Sequence, residues 1–338
     1  MKKPGLTRFF PFGGRLLTIA IIIPVRPGLQ PQALDALAAV DCPPDQLEIL
    51  VVEGTNPSRQ RNEAVQQAQS EIVYFLDDDS LPVADLVARL ERHFADERVV
   101  AVGGPSLTPP QDSVLQQAFG CALATPLGAG GVCNRYRSSG TVRQTTEREL
   151  ILCNLAFRRD AFLAAGGLDE RLYPNEENEL LDRLQRQGKI LLHDPQLVVV
   201  RSQRPSLAAF AYQMFRYGRG RAQQTRLAGM SGLMPLVPLF FVLYLLALPL
   251  LRSSLLFLPL FLYLLLVCLC SLHAASRCRT AVFAALLVLV FPVLHLANGL
   301  GLLVGFIQPG GHTRRSVPAL VNVKRLRLTA PAMAPGVS

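Results

Sequence analysis

Short apolar runs alternate with amphipathic stretches through the first part of the chain. Residues 17–25 (LTIAIIIPV), 47–52 (LEILVV) and 72–76 (IVYFL) are rich in β-branched and aromatic side chains, which predicts three buried strands. Residues 30–39 between the first two runs have the apolar spacing of a helix. A strand, a helix and a second strand within about 35 residues form a βαβ unit. We therefore predict an α/β domain with a mostly parallel sheet, whose strands end at one common edge.

The alternation of strands and helices continues after the third run. Helices are predicted at residues 83–94 and from residue 176, strands at residues 99–105 and 190–200, and a strand that runs into a helix at residues 150–162. Residues 106–149 are rich in Gly, Pro, Ser and Thr and show weak periodicity. Because a long irregular segment inside a compact domain is usually a lid or a binding loop, we expect such a role here.

Three uncharged apolar runs follow, at residues 233–251, 253–272 and 281–307. Each is long enough to cross a hydrocarbon core of about 30 Å at about 1.5 Å per residue, so the sequence predicts about three transmembrane helices. Pro235, Pro238 and Pro249 leave open that the first run is re-entrant or interfacial. Three crossings would place the basic C-terminal tail outside and two would keep it inside; run length favours three.

Charge is distributed unevenly along the chain. All 25 acidic residues precede residue 233, whereas eight of the 34 Lys and Arg residues follow it. The formal net charge of +9 therefore belongs mostly to the C-terminal third, where it favours an anionic lipid surface over nucleic acid. Residues 207–226 combine four arginines with Tyr and Phe, which is typical of a helix at a membrane interface; contact with an anionic substrate is the alternative.

These patterns divide the chain into five parts. We predict a basic N-terminal tail at residues 1–16, an α/β domain at 17–204, a basic amphipathic segment at 205–232, a transmembrane region at 233–307 and a basic tail at 308–338. The first tail contains Pro and Gly and is followed by too short an apolar core for a cleaved signal. The seven cysteines form no CxxC pair, so we expect free thiols.

Three consecutive carboxylates, Asp77, Asp78 and Asp79, follow the third predicted strand. Successive side chains of an extended segment point to opposite sides, so Asp77 and Asp79 can converge on one site while Asp78 faces elsewhere. Two hard oxygen ligands of this kind suit Mg²⁺ or Mn²⁺ held together with substrate phosphates. The alternative is that Asp79 or Ser80 only caps a helix, but a cap needs one acid and this strand end has three.

Two further groups of charged residues can serve the same edge. Arg61 lies near the start of a predicted helix, where the helix dipole does not favour a cation, so a phosphate-facing role competes evenly with a solvated arginine. Glu176 and Glu177 lie in the first turn of another predicted helix, which Asn175 can cap. The dipole alone explains acids at such a position, but a general base also needs one carboxylate directed into a cleft.

Several short motifs occur together in the order in which one enzyme family has them. They are IIIPV, LEILVVEG, RQRNEA, FLDDDS, CNLAFRR, GGLDE and NEENELLDRL, within residues 17–204. In this order they resemble the family 2 glycosyltransferases, whose nucleotide-diphospho-sugar transferase fold, GT-A, is Rossmann-like. The following QMFRYGRGRA and apolar runs resemble a membrane-anchored bacterial subgroup that includes succinoglycan-type exopolysaccharide glucosyltransferases. The expected architecture is a GT-A domain followed by C-terminal transmembrane helices.

The resemblance implies an inverting transfer of a sugar from a nucleotide-diphosphate sugar, with Mg²⁺ or Mn²⁺ as cofactor. Asp77 to Asp79 stand where the family has its DxD motif. The resemblance implies that Asp79 and Asp77 hold the metal, which neutralises the leaving diphosphate, and that Asp77 and Asp78 contact the nucleotide sugar. It also assigns further nucleotide-sugar contacts to Pro24, Glu53, Arg61 and Asn62.

The same resemblance assigns the general base to Glu177, in an ED-type pair that is Glu176-Glu177 in this chain. Gln213, Arg216 and Tyr217 resemble the QxxRW motif on the acceptor and diphosphate side, with Tyr in place of Trp.

Three departures from the family pattern change the picture. The segment between Glu53 and Asp77 is shorter than usual, so a strand and helix that help bind the base are expected to be missing. Glu replaces Asp at position 53 and in the base pair. Arg201 stands near a position where related enzymes offer a His to the metal, which puts a third protein ligand in doubt.

The leading hypothesis is a membrane-anchored, metal-dependent inverting glycosyltransferase of hexosyltransferase type that serves cell-surface or exopolysaccharide biosynthesis. We expect a multi-pass protein of the inner (plasma) membrane with a cytosolic catalytic domain, a nucleotide-diphosphate sugar as donor, a lipid-linked or glycan acceptor, membrane lipids as partners and no nucleic acid. A processive synthase that exports its polymer is the alternative in the same chemistry. A catalytically inactive membrane scaffold is the alternative from another class. A transporter is less favoured, because the apolar runs contain no acids.

Overall fold

The computed structural model describes residues 17–43, 46–229, 232–250, 253–278, 281–308 and 321–326. The predicted N-terminal tail lies outside these residues, and so does the predicted C-terminal tail except for residues 308 and 321–326. The six cysteines whose side chains are described are free thiols.

Eleven strands form two sheets in the described part of the chain. The strands are β1 (Ile19–Val25), β2 (Leu47–Glu53), β3 (Ile72–Leu76), β4 (Leu81–Pro82), β5 (Val99–Gly103), β6 (Ser106–Leu107), β7 (Arg143–Gln144), β8 (Asn154–Arg158), β9 (Ile190–His193), β10 (Val199–Val200) and β11 (Asn322–Leu326). The larger sheet has the order β11-β2-β1-β3-β8-β5-β9-β7, and a small sheet has the order β4-β10-β6.

The larger sheet is mixed, which corrects the prediction of a mostly parallel one. Strands β1, β2 and β3 are mutually parallel, as the βαβ pattern predicts, and β5 is parallel to β9. Strand β8 lies between β3 and β5 and is antiparallel to both. The chain leaves β5 and enters β8 at the same edge of the sheet, so β8 must run back in the opposite direction.

Helices cover both faces of this sheet and continue into the C-terminal region. They are α1 (Ala33–Leu37), α2 (Pro57–Gln67), α3 (Leu86–Phe94), α4 (Val114–Leu123), α5 (Pro126–Ala129), α6 (Arg159–Ala164), α7 (Glu176–Arg186), α8 (Leu207–Ala228), α9 (Val237–Ala247), α10 (Leu258–Cys278) and α11 (Ala281–Ile307). Short 3₁₀ turns are present at Gly130–Arg135, Met234–Leu236, Leu248–Leu250 and Ser254–Phe257.

Strand β1 is the centre of the core because both of its faces are buried. Ile21 and Ile23 face a layer that α1 and α3 cover, whereas Ala20 and Ile22 face a layer that α2, α6 and α7 cover. Fully burying one such isoleucine contributes about 1.5–3 kcal/mol. Burial on both faces explains why this strand is a continuous apolar run rather than an alternating one.

Residues 106–149 are more regular than the composition predicts. Helix α4 forms within this segment, and its N-cap Ser113 exchanges capping hydrogen bonds with Gln116. Phe119 of α4 stacks on Phe210 of α8 with ring centroids 4.2 Å apart, and α4 also contacts α11. The helix therefore depends on partners about 90 residues or more away in the chain, and such partners leave little local periodicity.

Helix α8 is enclosed between the catalytic domain and α11. The two helices approach so closely that a Cβ atom at Gly301 of α11 would lie 2.0 Å from the carbonyl oxygen of Phe215. A Cβ atom at Gly218 of α8 would likewise lie 2.0 Å from the carbonyl oxygen of Asn298. Helix α8 also contacts α7. The predicted basic amphipathic segment therefore packs between α7 and α11 and connects them, in addition to any contact with a membrane surface.

Two apolar stretches are long enough to cross a membrane, Ser254–Ser276 and Ala281–Ile307, by length and composition. The first of the three predicted runs forms one shorter helical stretch, Met234–Leu250, in which two 3₁₀ turns flank the 11-residue helix α9. At about 1.5 Å per residue this stretch extends over about 25 Å, somewhat less than a hydrocarbon core of about 30 Å. Pro235, Pro238 and Pro249 lie in or near these turns, which agrees with the re-entrant or interfacial alternative.

Strand β11 comes from the predicted basic tail and forms the edge of the larger sheet. It pairs antiparallel with β2 over Asn322–Leu326. Arg325 Nε lies 2.9 Å from Glu48 Oε1, and Arg325 Nη2 donates to the carbonyl oxygen of Gln67 at 3.0 Å. Since the strand is short and carries charged residues, sequence patterns typical of buried strands do not reveal it.

Candidate active site

The three carboxylates lie at the carboxyl end of β3, where the two sheets meet. Strand β3 is fully buried, and a turn closed by a hydrogen bond from Ser80 N to Asp77 O (3.1 Å) follows it. The chain then enters β4, whose Leu81 pairs with Val200 of antiparallel β10. Because of this register, the residue after β10 lies beside the turn that carries the acids.

That residue is Arg201, and its guanidinium group connects Asp77 and Asp79. Arg201 Nε donates to Asp79 Oδ1 at 2.7 Å, and Arg201 Nη1 lies 3.1 Å from Asp77 Oδ2. The two acids therefore share one partner. Asp78 takes no part in these ion pairs, and burial, followed by the charges of Asp79 and Asp77, raises the pKa of its carboxyl group.

Arg61 contacts Asp77 through the carboxylate oxygen that Arg201 does not use, and it makes no ion pair with Asp79. Its Nη2 donates to Asp77 Oδ1 at 2.7 Å, its Nη1 lies 3.6 Å from Glu176 Oε1, and its side chain is only 4% exposed. A solvated arginine is therefore ruled out for this residue. An arginine this deeply buried needs anionic partners, and it presents a fixed cation at the strand edge.

Helix α2 positions Arg61 through its first turn. Asn56 is the N-cap and accepts from the backbone nitrogen of Arg59 at 3.1 Å. Gln60, which directly precedes Arg61, donates its side-chain amide to the carbonyl oxygen of Val25 at 2.9 Å and also to that of Val52. The helix start is thus tied to the ends of β1 and β2, which directs Arg61 towards the end of β3.

Glu176 and Glu177 open α7 and are both buried. Burial, followed by the charge of Glu177, raises the pKa of the Glu176 carboxyl group to about 8. Glu177 Oε1 lies 3.6 Å from Arg135 Nη1. Asn175 does not cap the helix with its side chain, which corrects the prediction; it adopts φ 84° and accepts through Oδ1 from Asn178 at 2.9 Å.

Sequence patterns did not single out Arg135 as a site residue, although it lies beside Glu177. It is 7% exposed, donates through Nε to the carbonyl oxygen of Arg148 at 2.9 Å, and also donates to the Asn178 side chain and to the carbonyl oxygen of Glu147. These bonds hold its guanidinium group next to the start of α7. No sequence motif marks Arg135, because it lies within residues 106–149, where the sequence shows only weak periodicity.

Helix α8 contributes two of its three predicted residues to the pocket beside the acids. Gln213 Nε2 donates to the hydroxyl group of Tyr217 at 2.8 Å, and both side chains line a small pocket together with Tyr136 and Arg201. Burial raises the pKa of the Tyr217 hydroxyl group.

Arg216 points away from this pocket. Its guanidinium carbon lies 4.8 Å from the centroid of the Tyr173 ring, in a cation–π contact. The predicted triplet on α8 is thus divided: Gln213 and Tyr217 line the pocket, and Arg216 contacts the loop before α7.

The remaining predicted contacts lie at the ends of β1 and β2. Pro24 lies within β1, and Glu53 ends β2, paired in register with Val25. The structure does not bring Asn62 to the acids. Its amide donates to the carbonyl oxygen of Leu168 at 2.9 Å and accepts from the Leu168 nitrogen at 2.9 Å, so it holds the loop after α6 instead.

The side chains at the end of β3 are of the chemical type that binds a divalent cation. Asp77 and Asp79 offer hard carboxylate oxygens, which suit Mg²⁺ or Mn²⁺ when substrate phosphates complete the coordination. Among the described residues, no group of three or more His, Cys, Asp or Glu side chains is arranged to hold a metal. The protein can thus supply two ligand side chains at this point, and Arg201 is their present partner.

Comparison with known proteins identifies the class to which this fold and site belong. The sequence profile described as "Glycosyl transferase family group 2" matches residues 72–293, which is more than half of the chain. The chain therefore belongs to the family 2 glycosyltransferases, as the motif order predicted. Glycosyl transfer is accordingly its enzyme class.

The proteins that are similar to the chain include one relative by sequence and one by structure. One is "Succinoglycan biosynthesis protein ExoA" of Rhizobium meliloti (strain 1021), 30% identical over 198 residues, which are 54% of this chain and 56% of the relative. The match thus spans little more than half the length of that protein. The other is the structure titled "Mannosyltransferase PcManGT from Pyrobaculum calidifontis in complex with GDP-Man and Mn2+", with 18% identity, 90% coverage of both chains and a TM-score of 0.53. That likeness confirms the GT-A fold.

Proposed function

We propose that the protein is a membrane-anchored inverting glycosyltransferase that moves a sugar from a nucleotide-diphosphate sugar to a lipid-linked or glycan acceptor in cell-surface or exopolysaccharide biosynthesis. The observation that carries the proposal is the placement of Asp77 between Arg61 and Arg201, with Asp79 on Arg201 as well, at the edge of a GT-A sheet. Carboxylates and guanidinium groups at one strand edge are what a site for a diphosphate and a cation needs.

Donor binding uses the end of β3 and its neighbours. In this proposal Asp77 and Asp79 hold Mg²⁺ or Mn²⁺ together with the diphosphate, and the metal, when bound, neutralises the charge of the leaving nucleoside diphosphate. Arg61 adds a buried cation beside Asp77. Pro24, Glu53 and Asp78 lie at or beside the ends of β1, β2 and β3, where we place the nucleoside and sugar contacts. The structural relative carries GDP-Man and Mn²⁺, which supports this assignment.

Glu177 is the proposed general base. Inversion requires a base that removes the proton of the acceptor hydroxyl group as its oxygen attacks the anomeric carbon opposite the leaving group. Glu176 is the more deeply buried of the two, and burial together with the charge of Glu177 raises the pKa of its carboxyl group, which favours its protonated form. We therefore assign proton removal to Glu177 and a neighbouring, proton-holding position to Glu176. Gln213 and Tyr217 line the adjacent pocket, where we place the acceptor.

The apolar C-terminal helices bring this site to a membrane. Ser254–Ser276 and Ala281–Ile307 are long and apolar enough to be inserted, and α11 is joined to the catalytic domain through α8. We place the protein in the inner (plasma) membrane with its catalytic domain in the cytosol, where nucleotide sugars are available. The relative named for succinoglycan biosynthesis supports a role in exopolysaccharide biosynthesis.

The test is release of nucleoside diphosphate by the detergent-purified protein. UDP-, GDP- and TDP-sugars are screened with Mg²⁺ or Mn²⁺ and native lipid extract, for the wild type, Asp79→Ala and Glu177→Gln. We expect metal-dependent release from one donor and its loss in both variants. If the wild type releases no more than the variants with every donor, the scaffold alternative replaces the transferase. Long polymer from a single acceptor would instead favour the processive synthase.

A further inference from the structure

Asp77 and Asp79 at the end of β3 are already paired with a cationic side chain of the protein. Arg201 lies between Asp79 and Asp77, at 2.7 Å and 3.1 Å. Its backbone is fixed, because its nitrogen donates to the carbonyl oxygen of Leu107 at 2.9 Å. Its side chain nevertheless keeps 23% of its surface exposed and lines the pocket next to Tyr217. An anion that enters this pocket can therefore reach the Arg201 side chain, whose backbone is held on Leu107.

We propose that Arg201 is a diphosphate-binding residue that occupies the metal's place on Asp77 and Asp79 until the donor binds. On donor binding, its guanidinium group leaves the two carboxylates and contacts the diphosphate. The inference rests on the proposed function, because it names the ligand of the same site.

Charge balance is the first argument for this role. Asp77 and Asp79 bring two negative charges, and Arg61 and Arg201 bring two positive ones. A divalent cation that enters alone must displace Arg201 and leaves the cluster with excess positive charge. A diphosphate that enters with the cation restores the balance and gives the displaced guanidinium group a new anionic partner. Metal and donor should therefore bind together.

Geometry is the second argument. A guanidinium group presents several N–H donors in a rigid fork, which matches both a pair of carboxylate oxygens and the oxygens of a phosphate. Arg201 already uses Nε and Nη1 on separate acids. A lysine or histidine at this position could not hold both acids in the same way. The consequence is a site in which free metal is excluded by an internal cation.

The test measures Mn²⁺ binding in the absence of any sugar donor, by the loss of the free Mn²⁺ signal in electron paramagnetic resonance. We expect weak binding to the full-length wild type and at least about tenfold tighter binding to Arg201→Gln, because a charge-assisted contact that competes with the metal is removed. Addition of UDP or GDP should tighten Mn²⁺ binding to the wild type and should have a smaller effect on the variant.

Three controls make the result specific. Arg98→Gln removes an exposed arginine that pairs with Asp96, and it should leave Mn²⁺ binding unchanged. Asp79→Asn combined with Arg201→Gln should abolish the gained affinity, which locates the ion. Arg201→Lys keeps the charge without the fork and should lie between wild type and Arg201→Gln; it decides the question if Arg201→Gln fails to fold.

Equal or weaker Mn²⁺ binding by both Arg201 variants would overturn the proposal. So would a wild type that binds Mn²⁺ alone as tightly as it does with nucleotide. Because the primary measurement contains no donor, it is independent of turnover. Failure of the donor screen combined with the expected Mn²⁺ result would count against the transferase and not against the competition at Arg201.

Discussion

The ammonium nitrogen of Lys324 lies 2.6 Å from Glu53 Oε1, so the C-terminal strand touches the end of β2 where the nucleoside is expected. This contact follows from the pairing of β11 with β2, in which Asn322 lies opposite Glu53. Strand β11 is therefore part of the sheet that carries the acids. In the proposed membrane-anchored protein, the chain between α8 and β11 must then return to the side of the membrane from which it started.

The first prediction concerns this topology. Helices α10 and α11 can cross in opposite directions, and β11 pairs with β2 in the sheet that carries the acids, so we expect an even number of crossings and a C-terminus on the cytosolic side. A fluorescent protein fused after Ser338 should fluoresce in cells, and alkaline phosphatase fused there should be inactive. The reverse pattern would support three crossings and would require β11 to leave the sheet.

The sequence predicted those parts of the site that depend on neighbours in the chain. The buried run of β3 and the acids after it are a local pattern, and so is the βαβ unit that makes β1, β2 and β3 parallel. The contact between Arg201 and Asp79 joins residues 122 positions apart and depends on the register of two-residue strands. The pairing register of β4 and β10 cannot be predicted from the periodicity or the composition of the sequence.

Two other elements were missed for a related physical reason. Helix α4 is stabilised by Phe210 and α11, which come much later in the chain, so its own segment looks irregular. Strand β11 carries Lys324 and Arg325 because it is an exposed edge, and edge strands lack the apolar runs by which buried strands are found.

The second prediction concerns the close contact between helices α8 and α11 at Gly301. In Gly301→Ala the new Cβ atom would lie 2.0 Å from the carbonyl oxygen of Phe215, so the two helices must move apart. We expect a loss of about 1–3 kcal/mol in the free energy of unfolding, as for overpacked cores. The measurement is the unfolding midpoint in detergent. Gly131→Ala is the control, because its Cβ atom would meet only Arg148 Cδ at 3.6 Å. Equal unfolding midpoints for Gly301→Ala and Gly131→Ala would contradict the close contact between α8 and α11.

The third prediction concerns pH and Glu176. Its pKa in the folded protein is raised from an ordinary 4.5 to about 8 by burial and by Glu177, so folding favours the protonated form. The stability that this preference contributes is fully present below about pH 4.5, and it is lost as the pH rises through about 8. Glu176→Gln stays neutral at every pH.

We therefore expect the difference in Tm between Glu176→Gln and the wild type to move in favour of the variant from pH 5 to pH 9. Thermal unfolding in one detergent across this range measures it. Asp182→Asn, at a surface pair with Arg186, should show no such trend and serves as the control. A difference that stays constant with pH would mean that the Glu176 carboxyl group is ionised throughout.

The last prediction separates Glu177 from the other acids of α7. As general base, Glu177 acts on the acceptor proton in the transition state, so Glu177→Gln should lower kcat by about 10²–10⁴-fold. The KM of the donor should change little, because the donor contacts lie at the ends of the strands. Steady-state release of nucleoside diphosphate with varied donor gives both constants. Glu179→Gln is the matched control: it lies in the same helical turn, but its carboxylate pairs with Arg183 at 2.8 Å. If Glu177→Gln retains the kcat of Glu179→Gln while Glu176→Gln loses it, the proton is removed by Glu176 instead, and its raised pKa would then place the rise in activity near pH 8.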